Sequence, residues 1–225
     1  MDCTLISLSG MTLHARPSGA LWWPEASILI VSDLHLGRSE RLARRGDSLL
    51  PPYDSMETIS RLETEILELV PKSVICLGDS FDDPRAAEEL DDGLRRRISS
   101  LMAGRRWIWI AGNHDPHSPS MGGSFMEEVV RGPLTFRHIA HPRAEAGEVS
   151  GHYHPKVHVP TRAGRVTKPC FVADSRRLIL PAFGTYTGGL SCAESTLQGL
   201  FGPDAICVMT GETTTTVPLN AKRTA

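Results

Sequence analysis

The sequence predicts one α/β domain with a largely parallel sheet. Three short apolar runs, at residues 27–31, 73–77 and 106–110, are rich in β-branched or aromatic side chains, which suits strands covered on both faces. Stretches of helical periodicity separate them, giving βαβ units whose strands run parallel and end along one edge. Each run also closes on polar residues, and ligands of parallel sheets gather at that carboxyl-terminal edge. With 225 residues the chain can bury a sizeable core. No repeat or linker divides it, so residues 1–225 read as a single domain whose end frays from about residue 217.

Residues 11–23 alternate loosely around Pro17 and Gly19, as an edge strand or hairpin does. Trp22 and Trp23 there read as packing. The first buried strand follows and stops at Asp33 and His35. If the extended conformation persists to residue 35, both side chains leave one face and can converge on one ion. Arg38, Arg41, Arg44 and Arg45 come next, four guanidinium groups within eight residues. Their planar forks suit phosphate oxygens, which makes them candidates for gripping substrate. The plainer alternative is a solvated helix face.

Asp54 and Glu57 have the spacing of a capping box. Met56, Ile59, Leu62, Ile66 and Leu69 then give one helical stripe that Pro71 ends. The second strand closes on Gly78 and Asp79, with Asp82 three residues on. Asp83 suits a helix cap ahead of Pro84, and a single helix is expected over 84–102. The third strand closes on Gly112, Asn113, His114 and Asp115. A loop with a short helix at 125–130 should follow, then strands near 170–173 and 178–181, a glycine-rich run at 183–189 and a threonine-rich last strand.

Between these lie His138, His141, His152 and His154, four imidazoles within seventeen residues. Imidazole is the commonest metal ligand, so the cluster points to metal. On an extended segment His152 and His154 would point to one side.

Composition removes several classes. A net charge of -2, from 24 basic and 26 acidic side chains, gives no global signature of nucleic-acid wrapping. The five cysteines are scattered without Cys-x-x-Cys spacing and read as reduced thiols of a cytoplasmic protein. There is no signal-peptide pattern, and no apolar run nears the roughly 20 residues needed to span a bilayer. No membrane association is expected.

In order, the polar closures are Asp33-x-His35, Gly78-Asp79-x-x-Asp82, Gly112-Asn113-His114-Asp115, His141 and Gly151-His152-x-His154. That series resembles the calcineurin-like metallophosphoesterases over residues 33–154. The resemblance implies the metallophosphoesterase fold, a four-layer α/β arrangement of two packed mixed β-sheets flanked by helices. It implies Asp33, His35 and His154 as ligands of a first divalent metal, Asp79 as a bridge, and Asn113, His141 and His152 as ligands of a second. Two such ions make hydroxide available near neutral pH and neutralise phosphate oxygens. Without thiolates, the donor set favours manganese, with iron or zinc as alternatives. By the same resemblance His114 faces substrate and assists the leaving group, and Asp82 orients that imidazole. His138 has no place in the pattern and reads as an ordinary strand residue.

The Asp33-to-Arg38 block, the Gly151-to-Pro155 block and the run from Leu180 to Gly189 together look like bacterial endonucleases encoded beside a DNA ligase and a DNA helicase. That implies DNA as partner, cut internally in single-stranded or unpaired regions during repair, in functional association with the ligase and helicase. Two alternatives stand beside it: a nucleotide or other small-molecule phosphodiesterase of the same superfamily, and a non-catalytic interaction module on the same fold.

Overall fold

In the computed structural model, residues 3–46, 53–117, 119–161 and 164–219 are described, without the side chains of residues 43, 45, 160 and 161. In chain order the first part comprises β1 (Thr4–Leu8), β2 (Met11–Ala15), β3 (Leu21–Trp23), β4 (Ile28–Val31), α1 (Arg38–Arg45) and α2 (Asp54–Leu69). Next come β5 (Ser73–Cys76), α3 (Ala86–Glu89), α4 (Asp92–Met102), β6 (Arg106–Ile110) and β7 (Ser124–Met126). These seven strands form one sheet in sequence order, antiparallel from β1 to β4 and parallel from β4 to β7.

The second sheet uses β8 (Glu128–Arg131), β9 (Leu134–Arg137), β10 (Glu148–Ser150), β12 (Gly164–Ala173), β13 (Arg177–Ile179), β14 (Ile206–Met209) and β15 (Thr215–Pro218), with β11 (Lys156–Thr161) paired to β12. Its order is β15-β14-β12-β13-β10-β9-β8. The strands β9, β10 and β13 are parallel and the others antiparallel.

Strand alternation builds the layers. Ile28 and Ile30 of β4 join Ile75, Phe136, Val149 and Phe171 in a core between the sheets. Leu29 and Val31 point the other way, onto Ile59, Leu62, Ile66, Leu94 and Ile98 of α2 and α4. Both faces of β4 are therefore apolar, and its run shows no polar alternation. The outer face of the second sheet carries only a thin fourth layer, including the single-turn helix α5 (Ser195–Gln198) around Leu197. The two-sheet α/β architecture agrees with the fold expected from the sequence. No helix among the described residues is long and apolar enough to cross a membrane.

Local expectations fare unevenly. Asp54 does not cap α2: it lies within the first turn, and its carboxylate takes Ser39 Oγ at 2.9 Å, which ties α1 to α2. Nor is Asp83 the cap of α3, which is Arg85; the Asp83 carboxylate accepts from the amides of Arg85 and Ala86 in the turn ahead of that helix. The single helix expected over 84–102 is broken, because Leu90 and Asp91 are extended. Asp91 caps α4 by accepting from Gly93 and Leu94. The segment 125–130 is strand rather than helix: Val129 is buried while Glu128 and Val130 are exposed, a period of two. Residues 217 and 218, expected to fray, pair with β14.

If the Asp91 cap sets the start of α4, Asp91→Ala lowers unfolding free energy by about 1 kcal/mol. Urea denaturation measures this, and an unchanged midpoint contradicts it.

Candidate metal centre

The closures of β4, β5 and β6, and those of β9 and β10, meet at one place. Past the strand ends the backbones of 33–36 and 78–82 stay paired: Asp33 N donates to Gly78 O, His35 N to Asp79 O, and Asp82 N to Leu36 O. On the other side, Phe183 N donates to Ser32 O and Gly184 N to Asp33 O, so the glycine-rich run borders the same loop.

The aiming of the side chains differs from the extended geometry the sequence suggests. β4 ends at Val31 and β10 at Ser150. Asp33, His35, Asp79, His152 and His154 have φ between 45° and 71°. Left-handed backbone costs a non-glycine residue about 1–2 kcal/mol, and among the nine such residues described, five are these. Strain is thus concentrated where polar side chains converge. His152 and His154 consequently diverge into two different groups.

In the first group, Asp33, His35 and His154 bring ligand atoms within 4.8 Å of one another. His154 Nε2 lies 3.1 Å from Asp33 Oδ1 and 3.3 Å from His35 Nε2. In the second, Asp79, His138 and His152 do the same. His138 Nε2 lies 3.3 Å from Asp79 Oδ2, 3.2 Å from His152 Nδ1 and 2.9 Å from Asn113 Oδ1. Asp33 joins the two groups, with Oδ1 3.9 Å from His138 Nδ1.

His141, expected as a ligand of the second metal, lies outside both groups. It is exposed, with its amide on Glu148 Oε1 and its Nδ1 accepting from the Arg143 amide. His138 stands in the place expected of it, and Gly78 leaves room for its ring: a Cβ there would sit 2.6 Å from His138 Cγ. A signal existed. His138 directly follows β9, which runs parallel to β10, and ligands gather at the carboxyl ends of parallel strands.

The donor set fits divalent cations. A carbonyl or carboxylate only accepts, so His138 Nδ1 must donate to Leu77 O and His35 Nδ1 to Asp82 Oδ1. With Nδ1 so engaged, each ring turns Nε2 inward, the orientation metal-bound histidines take. There the His138 lone pair meets Asn113 Oδ1 and Asp79 Oδ2, and Asp33 Oδ1 is buried without a hydrogen bond. Such an arrangement is repulsive until positive charge enters. In the free protein a proton serves: against the lowering effect of burial, Asp79 and Asp33 push His138 up to about 9. Burial favours neutral Asp33 and Asp79, yet the adjacent imidazoles outweigh it and hold both carboxyls below the usual range.

Asp82 acts otherwise than expected. Its carboxylate binds His35 Nδ1 and Arg41 Nε, and only its backbone carbonyl orients His114, accepting from Nδ1 at 2.9 Å. Asp115, given no role from sequence, accepts from the amides of Asp79, Ser80, Phe81 and Gly112 at 2.7–3.1 Å. Burial, with Asp79 beside it, pushes this carboxyl up to about 6 despite those amides. Gly112 permits the approach, since a Cβ there would fall 2.2 Å from Asp79 N.

Among the arginines, Arg41 holds Asp82, and Arg44 is paired with Asp83 and Glu89. Neither is left as an open clamp. The side chain of Arg45 lies outside the described residues. Arg38 has no acidic partner among the described residues, and its Nε is buried and unbonded. It stands near Lys156, whose Nζ donates to Thr187 O. Lys156 was not legible as a site residue.

Residues 26–179 match the family model of the calcineurin-like phosphoesterases. The chain belongs to that family, and is by family a hydrolase of phosphoester bonds with a divalent-metal requirement. Among solved structures, the nuclease MPE of Pseudomonas putida is similar: 25% identity, TM-score 0.74, covering 96% of this chain and all of that one. YfcE, a phosphoesterase from E. coli, is 14% identical with TM-score 0.45, over 86% of this chain and 99% of its own. A comparison with curated proteins gave no significant match.

Since His138 stands where His141 was expected, His138→Ala should weaken manganese binding more than about tenfold, whereas His141→Ala should leave it unchanged. Isothermal titration calorimetry measures both. Loss in the His141 variant alone would reverse the assignment.

Proposed function

We propose that this chain is a binuclear-metal phosphodiesterase that cuts DNA internally, in single-stranded or unpaired regions. The observation that carries the reading is the double cluster, Asp33 with His35 and His154 beside Asp79 with Asn113, His138 and His152, with His114 on its margin. Bound divalent cations, manganese foremost with iron or zinc as alternatives, would supply Lewis-acid charge and water ionised near neutral pH.

The chain's own residues then have separate tasks. Asp33, His35 and His154 would hold one cation and Asp79, Asn113, His138 and His152 the other, with Asp79 shared between them as the family resemblance implies. Asp82 keeps His35 in the tautomer that offers Nε2, and Asp115 fixes the loop that carries Asp79. His114 is half-buried, and its Nδ1 is occupied by the Asp82 carbonyl. Its Nε2 is therefore the nitrogen that can donate to a phosphate oxygen or protonate the leaving oxygen.

Substrate charge is met by Arg38 and Lys156. Burial and the nearby Arg38 charge both lower the Lys156 pKa, so two like charges are held close, an arrangement that a phosphate between them relieves. Support for DNA over a small ester comes from the similarity to a nuclease along the whole chain. A place in DNA repair, with a ligase and a helicase as functional associates in the cytoplasm, belongs to the same proposal.

The test is manganese-supplemented digestion of circular single-stranded DNA beside bis-p-nitrophenyl phosphate. Wild type should linearise the circle and hydrolyse the diester. His114→Ala should keep its metal and lose about 10²–10⁴-fold in turnover on both. Diester hydrolysis with an intact circle moves the substrate to a small phosphodiester, and full activity in the His114 variant removes that residue from the mechanism.

A further inference from the structure

A second group of metal-ligating side chains lies on the outer face of the second sheet. Cys170 in β12, Cys207 in β14 and Cys192, just past the glycine-rich run, come from three separate segments. Their sulfurs lie within 4.8 Å of one another, with Cys170 and Cys192 3.4 Å apart. All three are buried free thiols, packed with Val172, Ala205 and Leu219.

A buried free cysteine ordinarily behaves as a small apolar side chain, and apolar packing has no need to bring three sulfurs together. A metal site does. With zinc–sulfur bonds near 2.3 Å, a tetrahedral centre separates its sulfurs by about 3.8 Å, within the range found here. The adjoining cleft offers an imidazole. His158 and Cys192 line the same cleft of about 510 Å³, with Arg165 also on its wall. His158 Nδ1 is hydrogen-bonded to Thr167 Oγ1 at 2.7 Å, which leaves Nε2 as the ring nitrogen for a ligand.

We propose that Cys170, Cys192 and Cys207, with His158 as fourth ligand, form a structural site for a borderline-soft divalent cation of the zinc class. Each thiol gives up its proton to solvent as it binds. Three thiolates, a neutral imidazole and a dication leave a single net negative charge, which Arg165 opposes from the cleft wall. Thiolate softness separates this site from the nitrogen- and oxygen-lined centre.

The position gives the site a purpose. Cys192 N donates to Lys156 O, Lys156 N to Leu190 O and Leu190 N to Tyr153 O. A cation on Cys192 would fasten the return of the glycine-rich segment alongside the loop that carries His154.

Cobalt(II) titration of the metal-stripped full chain, kept reduced, tests this. Wild type should develop a near-ultraviolet sulfur-to-cobalt charge-transfer band with the strong visible bands of a tetrahedral site. The band should be lost in Cys207→Ser and kept in Cys3→Ser. It should also persist in Asp79→Ala, because the nitrogen–oxygen centre has no sulfur to produce it, so the two sites fail or survive separately. Cobalt uptake by wild type without the band overturns the proposal whether or not the variants fold. So does a band that survives Cys207→Ser, or a disulfide among the three found by alkylation and mass spectrometry of the reduced preparation.

Discussion

Lone pairs facing lone pairs are the constraint on which the rest of this molecule depends. At His138, Asn113 and Asp79, acceptor atoms meet at 2.9–3.3 Å. That contact is favourable only with positive charge between the partners. Much of the surrounding structure maintains it. Asp82 and the Leu77 carbonyl fix the tautomers of His35 and His138, Asp115 gathers four amides beneath Asp79, and five left-handed residues accept strain to aim the ligands. A folded chain bears such costs where interactions elsewhere over-determine the conformation. Here the core between the sheets and the second core under α2 and α4 supply them.

The fold was legible because burial on both faces leaves a strong mark. The runs ending at Val31, Cys76 and Ile110 lack polar alternation, and the stripes of α2 and α4 have helical spacing. Where two principles competed, local pattern misled. Asp54 and Glu57 have capping-box spacing, yet Ser39 claims the Asp54 carboxylate. Residues 84–102 carry one helical stripe, yet Asp91 can cap only by leaving the helix.

Most of the centre was legible as well, since a polar residue ending a parallel strand already stands at the ligand-binding edge. Between His138 and His141, motif spacing points to the second and the strand end to the first. They lie three positions apart, and His138 directly follows β9. Positioning groups were harder to see. Asp115 works by accepting backbone amides distant in sequence, and Arg41 and Arg44 find acidic partners about forty residues away. No spacing rule carries that information. The cysteine group is the same case: 170, 192 and 207 show no motif, and they meet because β12 and β14 are neighbours and the Cys192 amide is tied to Lys156 O.

The most direct test of the centre is a manganese-soaked crystal measured at the manganese absorption edge. Two anomalous peaks are expected, one among Asp33, His35 and His154 and one among Asp79, Asn113, His138 and His152. A single peak, or a second peak held by His141 with His138 turned away, would contradict it.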